Sequence, residues 1–166
     1  MYTIIAGTNR LESNSAKIGE SYQQILHKQG IQAELYTLSG LDLNYRSESF
    51  IEFETRVLMP TQKFILLMPE YNGSYPGIFK TMIDLCAIKE CWSGKKALLT
   101  GVSTGRGGNI RGLEHLTGSL NYMNVFVHPN RLPISLVHHL IDEGAVLNDE
   151  KTLIAIEQQV KEFIKF

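Results

Sequence analysis

The sequence predicts a doubly wound, three-layer α/β fold, in which a five-stranded parallel sheet lies between two layers of helices. The first observation behind this prediction is that short, dense apolar runs alternate with longer amphipathic stretches along the chain. The second is a globular composition, with 43% hydrophobic and 20% charged residues. The third is the length of 166 residues, which suits a single core. We therefore expect residues 1–166 to form one domain.

The predicted strands are the short apolar runs, and most of them are apolar at every position. Such strands are typical of a parallel sheet covered by helices on both faces, because neither face of the sheet meets water. The strands are expected at Tyr2–Ala6, Ala33–Thr37, Lys63–Met68, Ala97–Val102 and Asn124–Val127.

The predicted helices fill the intervals, where apolar residues recur three and four positions apart. The first ends before Gly30, a residue type that commonly follows helix C-termini. The third begins at Pro76, which suits a first helical position, and Asp149 can cap the last. The helices are expected at Ser15–Gln29, Glu48–Leu58, Pro76–Ala87, Asn109–Met123 and Asp149–Lys165.

Three loops of unusual composition follow the first, third and fourth strands, and they select the order of the sheet. Right-handed crossovers leave two common orders, 3-2-1-4-5 and 2-1-3-4-5. Ligands bind beyond the carboxyl ends of parallel strands. Only in the second order are strands 1, 3 and 4 neighbours, so that their loops form one continuous rim. We therefore expect the order 2-1-3-4-5.

The loop after the first strand, residues 7–15, has the composition of a phosphate site. Thr8, Ser13 and Ser15 offer hydroxyls, Arg10 offers a guanidinium, and a helix begins here. Helix N-termini attract anions because their N–H groups are unpaired and the helix dipole is positive there. The chain lacks both the triphosphate P-loop and the G-x-G-x-x-G dinucleotide pattern, so a terminal monophosphate fits best. The alternative is a polar loop that only caps the helix.

The other two loops predict a platform for a planar ring. In residues 69–77, Tyr71 supplies an aromatic face, and Asn72 and Gly73 permit the positive φ angles that turn backbone amides toward a ligand. In residues 103–109, three glycines between positions 105 and 108 let a ligand approach the backbone closely. The alternative for both loops is an ordinary turn without a ligand.

Other classes of function fit the sequence poorly. A net charge of −1 argues against nucleic-acid binding, and no apolar run approaches the roughly 20 residues of a membrane span. Residues 101–105 match the G-x-S-x-G pattern of serine hydrolases around Ser103, but only Glu114 stands in the chain order that the triad requires before a histidine. The adjacent His138 and His139 lack supporting cysteines, so we expect no metal site.

The two cysteines, Cys86 and Cys91, lie five positions apart in what the pattern predicts as one helix and its end. A disulfide there would be awkward, and reduced thiols are typical of a reducing compartment. The first residues show no basic stretch followed by a long apolar run, so no signal peptide is indicated. We therefore expect a cytoplasmic protein.

The three loops, in this order, resemble the NADPH-dependent FMN reductase family, which includes flavodoxin-like azo-, quinone- and chromate-reducing enzymes. The matching stretches are Gly7-Thr8-Asn9-Arg10 with Ser13 and Ser15, then Pro69-Glu70-Tyr71-Asn72-Gly73-Ser74 with Pro76-Gly77, Lys80 and Asp84, then Ser103 with Gly105, Gly107 and Gly108. The second stretch is the most specific, because a run of this length is hard to meet by chance.

The resemblance implies a flavodoxin-like domain that carries FMN and takes electrons from NADPH or NADH. The implied cofactor residues are Thr8, Arg10, Ser13 and Ser15 at the phosphate, Pro69, Glu70, Tyr71, Asn72 and Gly73 at the isoalloxazine ring, and Ser103 and Gly105 nearby. Arg106 and Arg111 are candidates for contact with the nicotinamide nucleotide. No side-chain acid or base is required, so we name no catalytic residue.

The resemblance also implies a homodimer or homotetramer and a ping-pong reaction. The electron acceptor is expected to be a small molecule such as a flavin, a quinone or an azo compound. Two alternatives remain, a noncatalytic flavodoxin-type electron carrier and a flavin-binding regulatory protein.

Overall fold

The computed structural model describes residues 1–142 and 146–166 and has the predicted alternation of strands and helices. Its elements are β1 (Tyr2–Ala6), α1 (Asn14–Lys28), β2 (Ala33–Thr37), α2 (Glu48–Phe53), β3 (Lys63–Pro69), α3 (Gly77–Leu85), α4 (Ile88–Cys91), β4 (Lys96–Val102), α5 (Ile110–Tyr122), β5 (Phe126–Val127), β6 (Leu132–Ile134) and α6 (Glu150–Lys165). Among the helices of these described residues, none is long and apolar enough to span a bilayer.

The sheet confirms the predicted strand order, since its strands run β2-β1-β3-β4-β5 and every pair is parallel. The prediction of five strands is wrong in count. The expected strand Asn124–Val127 shortens to β5, and β6 continues the same edge of the sheet by pairing with residues 100–102 of β4. Residues 128–131 leave the ladder between them, and Pro133 within β6 has no N–H to donate, as edge strands tolerate.

The core lies on both faces of the sheet, as the continuous apolar strands predict. The layer formed by α2, α3 and α5 packs around Phe64, Phe79 and Trp92, all fully buried. The layer formed by α1 and α6 packs around residues such as Tyr22 and Phe163. The parallel sheet therefore has its two faces covered, and ligands must approach from its ends.

Two predicted helix boundaries are wrong, and a further predicted helix has the expected bounds but consists of two helix types. The backbone of Cys86 is extended, with φ −67° and ψ 149°, so α3 ends at Leu85 and Cys91 belongs to the separate α4. The helix predicted over 48–58 divides into α2 and a π-helical turn over residues 54–58, in which the N–H of Met59 donates to the carbonyl oxygen of Glu54 (2.8 Å). Pro76 precedes α3 in an extended conformation instead of occupying its first turn.

Two predicted end signals are confirmed. Gly30 follows α1 with a φ of +74°, and the carboxylate of Asp149 accepts the N–H of Thr152 (2.8 Å) at the start of α6. α1 therefore ends, and α6 begins, where a capping residue satisfies the free backbone groups of the helix.

Candidate functional site

The loops that follow β1, β3 and β4 meet at one end of the sheet, because these three strands are neighbours. They enclose a cavity of about 260 Å³. Its lining includes six residues predicted from the sequence, namely Arg10, Ser13, Pro69, Glu70, Tyr71 and Ser103. It also includes Leu11, Glu12, Asn14, Val102, Thr104 and Val137, which the sequence did not single out. The continuous rim predicted from the strand order is therefore present.

The other predicted residues do not line this cavity: Thr8, Ser15, Asn72, Gly73 and Gly105. Thr8 and Ser15 are buried at the base of the first loop. Asn72 and Gly73 lie in the loop after β3, and Gly105 lies in the loop after β4. Four of these residues therefore belong to the three loops and Ser15 to the first turn of α1, and all five lie beside the cavity.

The N-terminus of α1 has the features of an anion site. Ser13 caps the helix, since its Oγ accepts the N–H of Ala16 (3.2 Å). The first turn of α1 contains no acidic side chain to neutralise the positive end of the helix dipole. Ser15 is 1% exposed, and its Oγ has no hydrogen-bond partner among the described residues. A buried, unpaired hydroxyl is costly, so this geometry fits a ligand oxygen that completes its hydrogen bonding.

Tyr71 connects the loop after β3 to the loop after β1. Its hydroxyl lies 2.6 Å from the Oγ1 of Thr8, which also accepts the N–H of Arg10 (3.2 Å). The guanidinium carbon of Arg10 lies 4.1 Å from the centre of the Tyr71 ring. This cation–π contact covers one ring face with a positive charge. The phosphate loop and the ring platform predicted from the sequence are thus held together by one side chain.

The segment from Tyr71 to Ser74 forms a tight two-residue hairpin turn. Tyr71 and Ser74 exchange backbone hydrogen bonds of 2.9 and 3.1 Å. Both central residues have positive φ angles, 52° at Asn72 and 76° at Gly73, as this class of turn requires. A Cβ at Gly73 would also lie 2.7 Å from Nη1 of Arg111. The Asn-Gly pair was therefore a correct indication of a turn with positive φ angles.

Glu70 joins the loop after β3 to the start of α5. Its Oε2 accepts the N–H of Asn109 (3.2 Å), and the side-chain amide of Asn109 donates to the carbonyl oxygens of Met68 (2.9 Å) and Pro69 (3.1 Å). Asn109 is fully buried and adopts a left-handed conformation, with φ 59°. Sequence reasoning missed its role, although an asparagine after a glycine-rich loop is a residue type that tolerates this conformation.

Ser103 organises the glycine-rich loop and is not placed as a hydrolase nucleophile. Its Oγ donates to the carbonyl oxygen of Gly105 (2.8 Å) and accepts the N–H of Gly108 (2.9 Å). A Cβ at Gly101 would collide with the carbonyl oxygen of Gly108. The first glycine of this G-x-S-x-G stretch therefore allows a close approach of two backbone segments, and Ser103 is occupied in holding the loop, which explains these residues without an esterase function.

A model of the NADPH-dependent FMN reductase family matches residues 2–139 of the chain. An NAD(P)H-dependent FMN reductase of Pseudomonas aeruginosa is 30% identical over 169 aligned positions, which cover 95% of this chain and 89% of that protein. A 2-hydroxy-1,4-benzoquinone reductase of a Burkholderia species is 31% identical over 64 positions, or 37% of this chain and 35% of its own.

Among solved structures, the flavoenzyme FerB of Paracoccus denitrificans, an NAD(P)H:(acceptor) oxidoreductase, superposes with a TM-score of 0.82 at 22% identity. The superposition covers 99% of this chain and 94% of FerB. At this identity the likeness concerns the fold, and it confirms the flavodoxin-like architecture predicted from the sequence.

Proposed function

Because the chain belongs to the NADPH-dependent FMN reductase family, we propose that FMN binds in the cavity between its three loops. The protein is an FMN-dependent NAD(P)H oxidoreductase that acts on small electron acceptors. The observation that carries the placement of the cofactor is the buried, unpaired hydroxyl of Ser15 at the N-terminus of α1. The family assignment favours this enzyme over the two noncatalytic alternatives.

The FMN phosphate belongs at the first loop. Thr8, Ser13 and Ser15 supply hydroxyls, and the N–H groups of the first turn of α1 point toward the same end of the helix. Arg10 brings a charge and a planar fork of donors, which suits a phosphate. Glu12 balances the positive charge of Arg10 within this loop. The helix dipole must therefore help Arg10 to offset the charge of the phosphate.

The isoalloxazine ring belongs against the segment from Pro69 to Gly73, with Ser103 and Gly105 beside it. The N–H groups of Asn72 and Gly73 have no acceptor among residues 1–142 and 146–166. They are therefore free to donate to a ligand. Preorganised N–H donors stabilise negative charge because they need no reorientation when the charge develops. The Glu70–Asn109 hydrogen bond fixes the position of this platform relative to α5.

When bound, FMN supplies hydride chemistry, and we propose a ping-pong order in which the nucleotide and the acceptor use one face of the site in turn. The chain's own part is to orient both ends of the cofactor and to leave that face accessible. Flavins, quinones and azo compounds are the proposed acceptors. The quinone class is supported by the partial match to the benzoquinone reductase.

Arg111 is the proposed contact for the 2′-phosphate of NADPH. Both arginines are exposed, but the guanidinium of Arg111 adjoins Gly73 of the ring platform, whereas Arg106 lies on the glycine-rich loop. Arg111→Ala should raise the KM for NADPH and leave the KM for NADH nearly unchanged. Arg106→Ala is the matched control, because it removes a cation from the adjacent loop. Equal effects on both nucleotides would contradict this assignment.

Two measurements on the purified protein test the proposed function. The flavin released by denaturation should be FMN, and a predominance of FAD would contradict the assignment. Steady-state rates with NAD(P)H and a soluble quinone should give parallel double-reciprocal lines. Intersecting lines would exclude the ping-pong order, and the absence of multiple turnover would exclude the enzyme.

We also propose that the protein is one domain, forms a homodimer or a homotetramer, and resides in the cytoplasm. Association is supported by the groove between α3 and α5, where Tyr122 is 90% and Ile88 is 43% exposed. The cytoplasmic location is supported by the two free cysteines, since reducing compartments preserve thiols. Sedimentation equilibrium should show a species of at least twice the chain mass, and Tyr122→Asp should weaken it.

A further inference from the structure

A cluster of three potential metal ligands lies in the layer formed by α2, α3 and α5. It consists of Glu54, Cys86 and Cys91, which we call the thiol–carboxylate cluster. One oxygen or sulfur atom from each residue lies within 4.8 Å of the other two, and all three residues are buried. The Sγ of Cys91 lies 3.4 Å from Oε1 of Glu54. The proposed flavin chemistry uses none of these groups.

Two irregularities of the backbone lie at the cluster. Glu54 is the first residue of the π-helical turn over residues 54–58, whose extra residue rotates the side chains that follow Glu54 by about 100° relative to those of α2. The extended backbone of Cys86 ends α3, so that Cys91 returns on the separate α4. Lys95 fixes the end of the π-helical turn, because its Nζ donates to the carbonyl oxygens of Leu58 (2.7 Å) and Met59 (2.8 Å).

The carboxylate of Glu54 is held in place before any ion binds. Its Oε2 pairs with the guanidinium of Arg46, and its Oε1 accepts the N–H of Ala87. The side chain of Arg46 is 46% exposed, whereas that of Glu54 is fully buried. Partners of this kind orient a metal ligand and sustain its charge.

We propose that Glu54, Cys86 and Cys91 form a binding site for a tetrahedral divalent ion, with zinc as the best fit. Zinc is bound by thiolates at about 2.3 Å and by carboxylate oxygens at about 2.0–2.2 Å. In a tetrahedron these bond lengths separate a sulfur from an oxygen ligand by about 3.5 Å, close to the 3.4 Å between Cys91 and Glu54. Two sulfur ligands also favour zinc over magnesium or calcium, which take oxygen ligands.

The charge of the cluster is compatible with this ion. Zinc would replace the protons of the two thiols, which pass to solvent as the two Zn–S bonds form. The cluster and Arg46 together keep the same net charge in both states, because two protons leave when one doubly charged ion enters. This equality matters because an uncompensated buried charge is costly. Three protein ligands leave the fourth position of the tetrahedron for water, and Cys86, which is 8% exposed, lies nearest to solvent among the three.

The site lies away from the proposed flavin cavity. Cys86 follows the C-terminus of α3, and the ring platform precedes its N-terminus, so the nine residues of α3 separate them by about 13 Å. A bound ion would join the turn after α2 to the corner between α3 and α4. It would therefore stabilise the fold without entering the electron-transfer reaction.

The experiment uses cobalt(II) as a spectroscopic probe on the intact, reduced protein. Addition of cobalt should produce thiolate-to-metal charge-transfer absorption and visible bands of tetrahedral cobalt, saturating at one ion per chain. Zinc should then displace the cobalt. Cys86→Ser and Cys91→Ser should each lose the charge-transfer absorption, and Cys91→Ser preserves the hydrogen bond to Glu54, which protects folding.

Two arginine variants distinguish a preformed metal site from adventitious binding of the ion. Arg46→Gln should weaken zinc binding by about 10–100-fold, as substitutions of groups that orient metal ligands do. Arg56→Gln is the matched control, because Arg56 pairs with the exposed Glu52 by a 2.8 Å contact outside the cluster. Three results would overturn the proposal. The first is cobalt binding without charge-transfer absorption, and the second is cobalt binding that persists in both serine variants. The third is the absence of cobalt binding by a protein whose two thiols are shown by thiol titration to be reduced. These readouts do not depend on flavin turnover.

Discussion

Replacing Ser15 with alanine should have opposite effects on the free protein and on FMN binding. In the free protein, the change removes a buried hydroxyl that has no partner among the described residues. Such an unsatisfied group costs about 1–3 kcal/mol, so the free energy of unfolding should rise. At the cofactor site, the same change removes a hydrogen bond to a charged phosphate, worth about 1.5–3 kcal/mol. FMN affinity should therefore fall by roughly tenfold to a hundredfold.

The two effects should appear in one pair of unfolding experiments. Without FMN, Ser15→Ala should be more stable than the parent protein. With FMN at a concentration that saturates the parent, the order should reverse or the difference should vanish, because each tenfold loss of affinity removes about 1.4 kcal/mol of ligand stabilisation. Titration of the flavin-free protein with FMN gives the affinity directly.

Ser21→Ala is the matched control for this experiment. Ser21 is also a buried serine of α1, but it lies beyond the first turn of the helix. The variant Ser21→Ala should leave FMN affinity unchanged. If Ser15→Ala also left FMN affinity unchanged, its hydroxyl would face no ligand, and the phosphate would have to lie elsewhere on the rim.

Two further predictions concern charge. Arg10→Ala should weaken FMN binding by roughly tenfold to a hundredfold, with turnover at saturating FMN within a few-fold of the parent; unchanged affinity would mean that its stack on Tyr71 is its whole role. At the start of α6, hydrogen bonds from the hydroxyl and then the N–H of Thr152 lower the pKa of Asp149 from its ordinary value of 3.8. Because the folded protein favours the ionised form, this stabilisation is present above pH 3.8 and is lost as the pH falls through the lower, folded value. Asp149→Asn, which retains a cap, should lose this pH dependence in acid unfolding, whereas Glu150→Gln should retain it.

The strand order could be predicted from the sequence because loop chemistry restricted it. A polar loop after the first strand and an aromatic, glycine-containing loop after the third serve one ligand only if their strands are adjacent. The platform turn was also predictable, since Asn72 and Gly73 carry the local signal for positive φ angles. In both cases a local pattern and the overall fold required the same arrangement.

The features that sequence reasoning missed depend on contacts distant in the chain. The role of Asn109 arises from its hydrogen bonds to Met68, Pro69 and Glu70, about forty positions away. The end of α3 at Leu85 has no glycine or proline to mark it. The proximity of Cys86 and Cys91 to Glu54 follows from that ending and joins residues more than thirty positions apart. Helical periodicity alone contains neither signal.

The interrupted edge of the sheet bears on how this chain behaves at high concentration. An uninterrupted edge strand is a template on which a second chain can add its own strand, the first step toward fibrils. On the β4 side, β5 offers two residues, four residues then leave the ladder, and Pro133 removes a donor from β6. The β2 side presents five consecutive residues, including Glu34. A second chain can therefore add a strand to the sheet mainly at β2, where the charge of Glu34 opposes the addition.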